Sequence, residues 1–174
     1  MNLNKNLIFL GMMGSGKSSI GHLVSKKLNL NFFDIDYLIE KNERMDIATI
    51  FSEKGEINFR KLEETITLKT LKSKNSVISL GGGGFINEKI RNEILTNHLS
   101  FWLYWSDYII LKRIKDSKKR PLAFNSTPNE IKQLIKKRTK VYAKAEFRIN
   151  CNKLSKNEIV KKVIKIYELS QISS

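Results

Sequence analysis

Short apolar runs alternate along this chain with longer segments in which apolar residues recur every three or four positions. The apolar runs predict strands at residues 7–10, 31–34, 77–80, 99–104 and 147–149. The segments between them have the apolar spacing of helices, and this alternation is typical of a parallel sheet covered by helices. We therefore expect an α/β fold of three layers around a central parallel sheet of about five strands.

Capping residues mark several helix boundaries. The segment 17–28 follows the first strand as a crossover helix, and residues 128–143 carry their apolar side chains on one helical face. In a capping box, the hydroxyl of the capping residue accepts the backbone N–H of a glutamate three residues later. The carboxylate of that glutamate accepts the backbone N–H of the capping residue. Two such boxes predict the starts of the last two helices: Thr127 with Glu130, and Ser155 with Glu158.

Two further segments depart from the simple alternation. Residues 46–73 form a helical stretch broken at Gly55, and they predict a helical substrate-binding lobe at about 35–73. Residues 117–126 are polar, basic and without periodicity, which indicates a mobile lid. We expect both to belong to a single domain that spans residues 1–174.

Composition limits the class of protein. The chain of 174 residues is 41% hydrophobic, enough for a sizeable core. It has no apolar stretch near the roughly 18 residues that span a bilayer. Its single cysteine, Cys151, excludes an internal disulfide, and Cys and His residues are not clustered at metal-ligand spacing. We expect a cytoplasmic monomer without a membrane partner.

The net charge of +15 is large enough to suggest nucleic-acid binding, because Lys and Arg bind phosphate backbones. However, the lysines are scattered over most of the predicted helices, and no aromatic residues are interleaved for base stacking. We therefore expect solvated lysine faces and no nucleic-acid partner. A nucleotide-dependent switch that binds nucleic acid remains the non-enzymatic alternative.

A phosphate-binding loop follows the first strand. Residues 11–18 read Gly-Met-Met-Gly-Ser-Gly-Lys-Ser and match all eight positions of the loop that joins a strand to a helix around a polyphosphate. Lys17 is expected to reach the β- and γ-phosphates, and the hydroxyl of Ser18 to coordinate magnesium. The expected ATP-binding residues of this loop are Gly14, Ser15, Gly16, Lys17, Ser18 and Ser19.

Two aspartates end the second predicted strand. Asp34 and Asp36 are two residues apart, so strand alternation points both carboxylates to one side at the carboxyl edge of the sheet. One is expected to serve a magnesium ion and the other a substrate. The alternative is that one of them only caps the following helix, a role that we expect of Asp36 more than of Asp34.

The third predicted strand runs into Gly81, Gly82 and Gly83, at the edge where ligands of open α/β sheets bind. These glycines permit close backbone approach to a ligand, although a tight turn alone also favours glycine.

Arg60 and Glu63 share a helical face. They form either a plain ion pair or a guanidinium that Glu63 holds toward a substrate carboxylate.

Together these motifs resemble one family, the shikimate kinases, over nearly the whole chain. The gluconate kinases lack the full set, and the nucleoside monophosphate kinases share only the fold and the phosphate loop. The resembling residues are the loop 11–18, Asp34 with Asp36, Phe59-Arg60 with Glu63, Gly81 to Gly83, Arg120-Pro121-Leu122, and Arg138 with Tyr142.

The resemblance implies how each substrate is bound. Arg60 and Arg138 bind the carboxylate of shikimate, and Asp36 and backbone N–H groups near Gly82 hold its ring hydroxyls. Asp34 holds magnesium through water. Arg113, seven residues before Arg120, packs on adenine, although an arginine at helical spacing is otherwise a surface residue.

The implied reaction is transfer of the γ-phosphoryl group of ATP to the 3-hydroxyl of shikimate. Lys17, magnesium and Arg120 neutralise charge on the transferred group. Asp36 is placed to accept the hydroxyl proton, but an aspartate of ordinary acidity is a weak base at neutral pH, so we expect it mainly to orient the acceptor. A kinase of another small hydroxy acid, such as gluconate, remains the enzymatic alternative.

Overall fold

The computed structural model describes residues 5–115 and 126–172. Within them, five strands form one parallel sheet in the order β2-β3-β1-β4-β5. The strands are β1 (Leu7–Leu10), β2 (Asn31–Asp34), β3 (Ser76–Ser79), β4 (Leu99–Tyr104) and β5 (Phe147–Asn150). The predicted strands are confirmed, with shifts of one residue at β3 and at the end of β5.

The helices for which the sequence predicts bounds begin and end close to those positions. They are α1 (Lys17–Leu28), α2 (Ile35–Glu43), α3 (Ile47–Leu71), α4 (Glu88–Asn97), α5 (Asp107–Lys115), α6 (Pro128–Tyr142) and α7 (Lys156–Ile172), with one 3-10 turn at Gly84–Ile86. Both capping boxes are confirmed. The hydroxyls of Thr127 and Ser155 each accept the N–H of the glutamate three residues on, at 3.3 Å in both cases.

The predicted lobe at about 35–73 corresponds to α2 and α3. Gly55 breaks α3 as expected, because its φ of 75° and ψ of 166° lie outside the helical region. Of the predicted lid at 117–126, only Ser126 is among the described residues, so Arg120 lies outside them. No helix among residues 5–115 and 126–172 is both long and apolar enough to cross a membrane.

Helices cover the sheet on both faces and enclose two hydrophobic cores. Alternate residues of β1 point to opposite faces, so Leu7 and Phe9 enter one core and Ile8 and Leu10 the other. α1 and α7 cover the first core, and α2 to α6 cover the second. This arrangement is the expected three-layer α/β fold.

The amino ends of the strands are tied together by one buried side chain. The Asn6 Nδ2 atom donates to the carbonyl oxygens of Leu71 at 3.0 Å and Ser73 at 2.7 Å, and its Oδ1 accepts the Ser76 N–H at 3.1 Å. These bonds join the end of α3 to the start of β3. The carboxyl ends of the strands, on the opposite side of the molecule, carry the residues described next.

Candidate active site

The phosphate-binding loop joins β1 to α1 as predicted. Gly11, Gly14 and Gly16 have φ angles of 141°, 77° and 89°, which side chains other than glycine rarely adopt. α1 begins directly after Gly16. The loop therefore lies at the amino end of a helix, where backbone N–H groups and the helix dipole favour an anion.

Lys17 is folded back over this loop. Its side chain is buried, and Nζ donates to the carbonyl oxygens of Gly11 and Met12, both at 3.0 Å. These bonds hold the ammonium group against the first two residues of the loop. Ser18 and Ser19 follow on the exposed first turn of α1, and the Ser18 hydroxyl lies 3.5 Å from that of Ser79 at the end of β3.

Trp105 supports the loop from the side, a contact that the sequence analysis missed. Its indole Nε1 donates to the carbonyl oxygen of Ser15 at 2.9 Å. The guanidinium of Arg113, on α5, lies over the indole ring at 3.8 Å from the ring centroid and donates to the carbonyl oxygen of Gly14 at 3.1 Å. Arg113 is therefore not a solvated surface residue but a neighbour of the phosphate loop.

Asp34 and Asp36 are near each other, but not by strand alternation. β2 ends at Asp34, and α2 begins at Ile35, so Asp36 lies in the first turn of the helix. The Asp34 carboxylate caps α2 by accepting the N–H of Tyr37 at 3.2 Å. The expectation that Asp36 is the more probable cap is therefore wrong. Asp34 has the extended backbone that a cap requires, and Asp36 is already helical.

The carboxylate of Asp36 lies in an unusual environment. Burial, the charge of Asp34 and the charge of Glu63 together raise the pKa of Asp36 from 3.8 to about 6, although nearby Lys17 opposes this rise. This pKa is above that of an ordinary aspartate, the acidity on which the expectation of a mainly orienting role depends. Asp36 stays ionised at neutral pH, yet it is a stronger proton acceptor than an exposed aspartate.

Arg60 is held by two carboxylates and two aromatic rings. Its Nη1 donates to Glu63 Oε2 at 2.6 Å, and its Nε and Nη2 contact Glu56 Oε1 at 3.3 and 3.2 Å. The guanidinium carbon lies 5.2 Å from the ring centre of Phe59 and 5.9 Å from that of Phe51. The predicted pairing of Arg60 with Glu63 is confirmed, and Glu56 was not foreseen.

The glycines after β3 make room for these side chains. A methyl group at Gly81 would lie 2.5 Å from Asp36 Oδ1 and 2.6 Å from Glu63 Oε1, so these two oxygens are no more than about 5 Å apart. A methyl group at Gly83 would lie 2.8 Å from the guanidinium carbon of Arg60. All three distances are too short for a Cβ atom, so close approach explains Gly81 and Gly83.

Arg138 completes the group from α6. A methyl group at Gly82 would lie 3.3 Å from Arg138 Nη1, a buried atom that has no hydrogen-bond partner among the described residues. Tyr142, one turn later, is buried and donates its hydroxyl to the carbonyl oxygen of Gly82. Burial raises the pKa of Tyr142 to about 12, so the hydroxyl remains a donor at every physiological pH.

The site thus combines a complete phosphate-binding loop with a neighbouring pocket of two arginines and two carboxylates. Both lie at the carboxyl edge of a parallel sheet, where ligands of open α/β folds bind. Among the described residues, His, Cys, Asp and Glu do not form a group of three that suits a metal ion. The fold and this site define a P-loop kinase that acts on a small molecule.

Comparison with known proteins specifies the family. A family model described as shikimate kinase matches residues 13–168. The shikimate kinase of Thermodesulfovibrio yellowstonii is 39% identical over 165 residues, which cover 94% of this chain and 95% of that protein. The shikimate kinase of Bartonella quintana is 40% identical over 160 residues, covering 91% and 76%. The chain belongs to the shikimate kinase family.

Solved structures agree with this assignment. Shikimate kinase from Acinetobacter baumannii in complex with shikimate matches with a TM-score of 0.90 at 26% identity, covering 95% of this chain and 94% of that one. The enzyme from Aquifex aeolicus matches with a TM-score of 0.86 at 35% identity, covering 97% and 99%. A gluconokinase from Sinorhizobium meliloti, with a TM-score of 0.61 at 15% identity over 99% and 98%, shares the fold alone.

Proposed function

We propose that this protein, an enzyme that uses ATP to phosphorylate shikimate, transfers the γ-phosphoryl group to the 3-hydroxyl and forms shikimate 3-phosphate. The observation that carries the proposal is the pocket at Gly81 to Gly83. There, two guanidinium groups suited to a carboxylate lie beside two carboxylates suited to hydroxyl groups. The phosphate-binding loop adjoins this pocket, since the N–H nitrogen of Met13 would lie 3.4 Å from a methyl group at Gly82.

In this proposal Arg60 and Arg138 bind the carboxylate of shikimate. The buried Nη1 of Arg138 supports this role, because a buried guanidinium N–H without a partner is costly until an acceptor arrives. Glu63 and Glu56 keep Arg60 in one orientation, which reduces the entropy that binding must remove. The backbone of Gly81 to Gly83 lies beside these groups, and its N–H groups near Gly82 would hold the ring hydroxyls.

Asp36 would accept the proton of the 3-hydroxyl as the reaction proceeds. The hydroxyl oxygen forms a bond to the γ-phosphorus, the bond from that phosphorus to the bridging oxygen of ADP breaks, and the proton passes to the Asp36 carboxylate. A pKa of about 6 supports this role, because proton transfer is most efficient when the pKa of the base is near the working pH.

The nucleotide would lie along the phosphate loop. Gly14, Ser15, Gly16 and Ser19 surround the phosphates, and Lys17 neutralises charge on the transferred group. Magnesium fits the oxygen donors here: Ser18 and Asp34 would hold it, and it would supply positive charge to neutralise the phosphates. Arg113 would meet the adenine ring, and Arg120 would reach the phosphates from the lid at about 117–126.

The test measures ADP formation with shikimate, gluconate or no acceptor, and phosphorus NMR of the product. We expect turnover with shikimate alone and phosphate on the 3-oxygen. Arg138→Lys keeps the charge but loses the two-pronged geometry of arginine, so the KM for shikimate should rise about tenfold or more while the KM for ATP is unchanged. Arg148→Lys is the matched control, because Arg148 lies over Tyr104, outside the pocket.

Phosphate on another hydroxyl would refute the regiochemistry, and turnover with gluconate would reassign the acceptor. An equal KM for shikimate in the Arg138 variant and its control would remove Arg138 from the acceptor site.

We further propose that the enzyme acts as a cytoplasmic monomer without a nucleic-acid partner. Size-exclusion chromatography with light scattering tests the assembly, and an RNA titration at physiological salt tests the partner.

A further inference from the structure

We propose that Trp105 is a positioning residue for ATP, which holds the phosphate loop with its indole N–H and holds Arg113 against the adenine ring with its indole face. This inference rests on the proposed function in taking ATP as the nucleotide and Arg113 as the residue that meets its adenine ring. Trp105 itself touches neither substrate in this scheme. It acts through the backbone of Ser15 and through the guanidinium of Arg113.

The backbone that carries Trp105 is fixed on both sides. Just before it, the Tyr104 carbonyl oxygen accepts the N–H of Cys151 at 2.9 Å. Just after it, the Ser106 N–H donates to Asn152 Oδ1 at 2.7 Å. The indole also packs against both hydrophobic cores at the carboxyl edge of the sheet. Trp105 is therefore a rigid support, and a residue that contacts it shares that rigidity.

The first contact of this support is with the phosphate loop. The 2.9 Å bond from Nε1 to the Ser15 carbonyl oxygen joins the loop to a segment that is 90 residues away in sequence. Within the loop, the Ser15 N–H also donates to Met12 O at 3.1 Å, so both polar groups of the Ser15 backbone are bonded. The loop is thereby kept in the conformation that presents its N–H groups to a polyphosphate.

The second contact is the stack of Arg113 on the indole. At 3.8 Å from the ring centroid, the guanidinium carbon is within the range of a cation–π interaction, and its Nη1 bond to Gly14 fixes the rotation of the group. A guanidinium has two faces, and Trp105 occupies one of them. The opposite face is the one that a flat base can stack on, so Trp105, Arg113 and adenine would form three layers.

Separate ligands distinguish the two contacts. Calorimetric titration with ADP reports on the loop and the base site together, and titration with inorganic tripolyphosphate reports on the loop alone. The variants are Trp105→Phe, which keeps the aromatic face but loses the N–H, Trp105→Leu, which loses both, and Arg113→Lys, which keeps the charge but loses the planar face. Arg148→Lys is the matched control, because Arg148 also lies on an aromatic ring, at 3.9 Å from that of Tyr104.

We expect Arg113→Lys to weaken ADP about fivefold, and to leave tripolyphosphate unchanged because the lysine ammonium group can still donate to the Gly14 carbonyl oxygen. Trp105→Phe should weaken both ligands about fivefold, because the loop loses its bond. Trp105→Leu should weaken ADP binding further. Arg113→Lys should then reduce the ADP affinity much less when it is introduced into Trp105→Leu than when it is introduced into the wild type. The control Arg148→Lys should bind both ligands as the wild type does.

Kinetics and fluorescence supply readouts that a merely structural role would not move. The KM for ATP should rise in Trp105→Phe, with kcat and the KM for shikimate near wild type. The chain has two tryptophans. The emission change on ADP binding should come from Trp105 and be absent in Trp105→Phe, where buried Trp102 remains.

The proposal would be overturned if Trp105→Leu bound both ligands with wild-type affinity. It would also be overturned if Arg113→Lys reduced the ADP affinity equally in the wild type and in Trp105→Leu. Thermal unfolding identifies any variant that fails to fold, and Trp105→Phe, the milder change, then decides. The titrations contain no acceptor. A protein that binds ADP in this way but does not phosphorylate shikimate would contradict the proposed reaction and leave the role of Trp105 intact.

Discussion

Replacing Asp36 with asparagine should make the unliganded protein more stable at neutral pH while it removes the proton acceptor. The pKa of Asp36 is raised from 3.8 to about 6, chiefly by burial and by the charge of Asp34. When folding raises the pKa of a group, the group stabilises the fold at pH values below the pKa that it has in the unfolded chain. This stabilisation is lost as the pH rises through the pKa that the group has in the folded protein. Ionised Asp36 therefore destabilises the fold above about pH 6.

The magnitude follows from the two pKa values. Each pH unit between 3.8 and about 6 is worth about 1.4 kcal/mol, so ionised Asp36 costs about 3 kcal/mol at neutral pH. Asparagine is neutral at every pH and has nearly the same shape. The gain from Asp36→Asn should thus be about 3 kcal/mol near pH 7.5, about half of that near pH 5, and small near pH 4.

The assay is urea unfolding of wild type and Asp36→Asn near pH 7.5, 5 and 4, without ligands. Asp46→Ala is a control of opposite sign. Asp46 caps α3 by accepting the N–H of Thr49 at 2.7 Å, and this bond lowers its pKa, so its loss in the alanine variant should destabilise the protein at neutral pH. A free-energy difference for Asp36→Asn that is zero near pH 7.5, or equal near pH 7.5 and 4, would refute the reasoning.

Three further predictions concern the site and its support. The kcat/KM for shikimate should fall below about pH 6 as Asp36 becomes protonated, and a pH profile flat down to about pH 5 would contradict its role as the base. Gly83→Ala should raise the KM for shikimate about tenfold, because a methyl group there would displace Arg60; Gly55→Ala, where no atom lies within 4 Å, should cost stability alone. Asn6→Ala should destabilise the fold by about 3 kcal/mol in urea unfolding and leave both KM values unchanged.

Local patterns in the sequence predict most of the fold. β1 is buried at all four positions, so it appears as an unbroken apolar run, and Thr127 with Glu130 forms the capping box that its spacing predicts. The phosphate loop is equally local, because its glycines are required by positive φ angles within one turn. Such features depend on neighbours in sequence and need no knowledge of tertiary contacts.

What the sequence could not predict depends on residues brought together from different elements. The acidity of Asp36 depends on burial and on Glu63, which lies on α3. The role of Trp105 depends on the position of Ser15, and an aromatic residue after a strand is otherwise expected in the core. The preference for Asp36 over Asp34 as the cap failed for a smaller reason, since α2 begins one residue after β2 ends.

The glycine run after β3 is a local sequence pattern that depends on such long-range contacts. Among the described glycines, positive φ angles occur at Gly11, Gly14, Gly16 and Gly55, and not at Gly81, Gly82 or Gly83. The backbone there would accept alanine, so a tight turn does not explain the run. The neighbouring side chains explain it. A methyl group would meet two carboxylates at Gly81, the Arg138 guanidinium at Gly82 and the Arg60 guanidinium at Gly83. Successive residues of one turn thus leave room for charged side chains from α2, α3 and α6, and any side chain there would move the groups proposed to hold the acceptor.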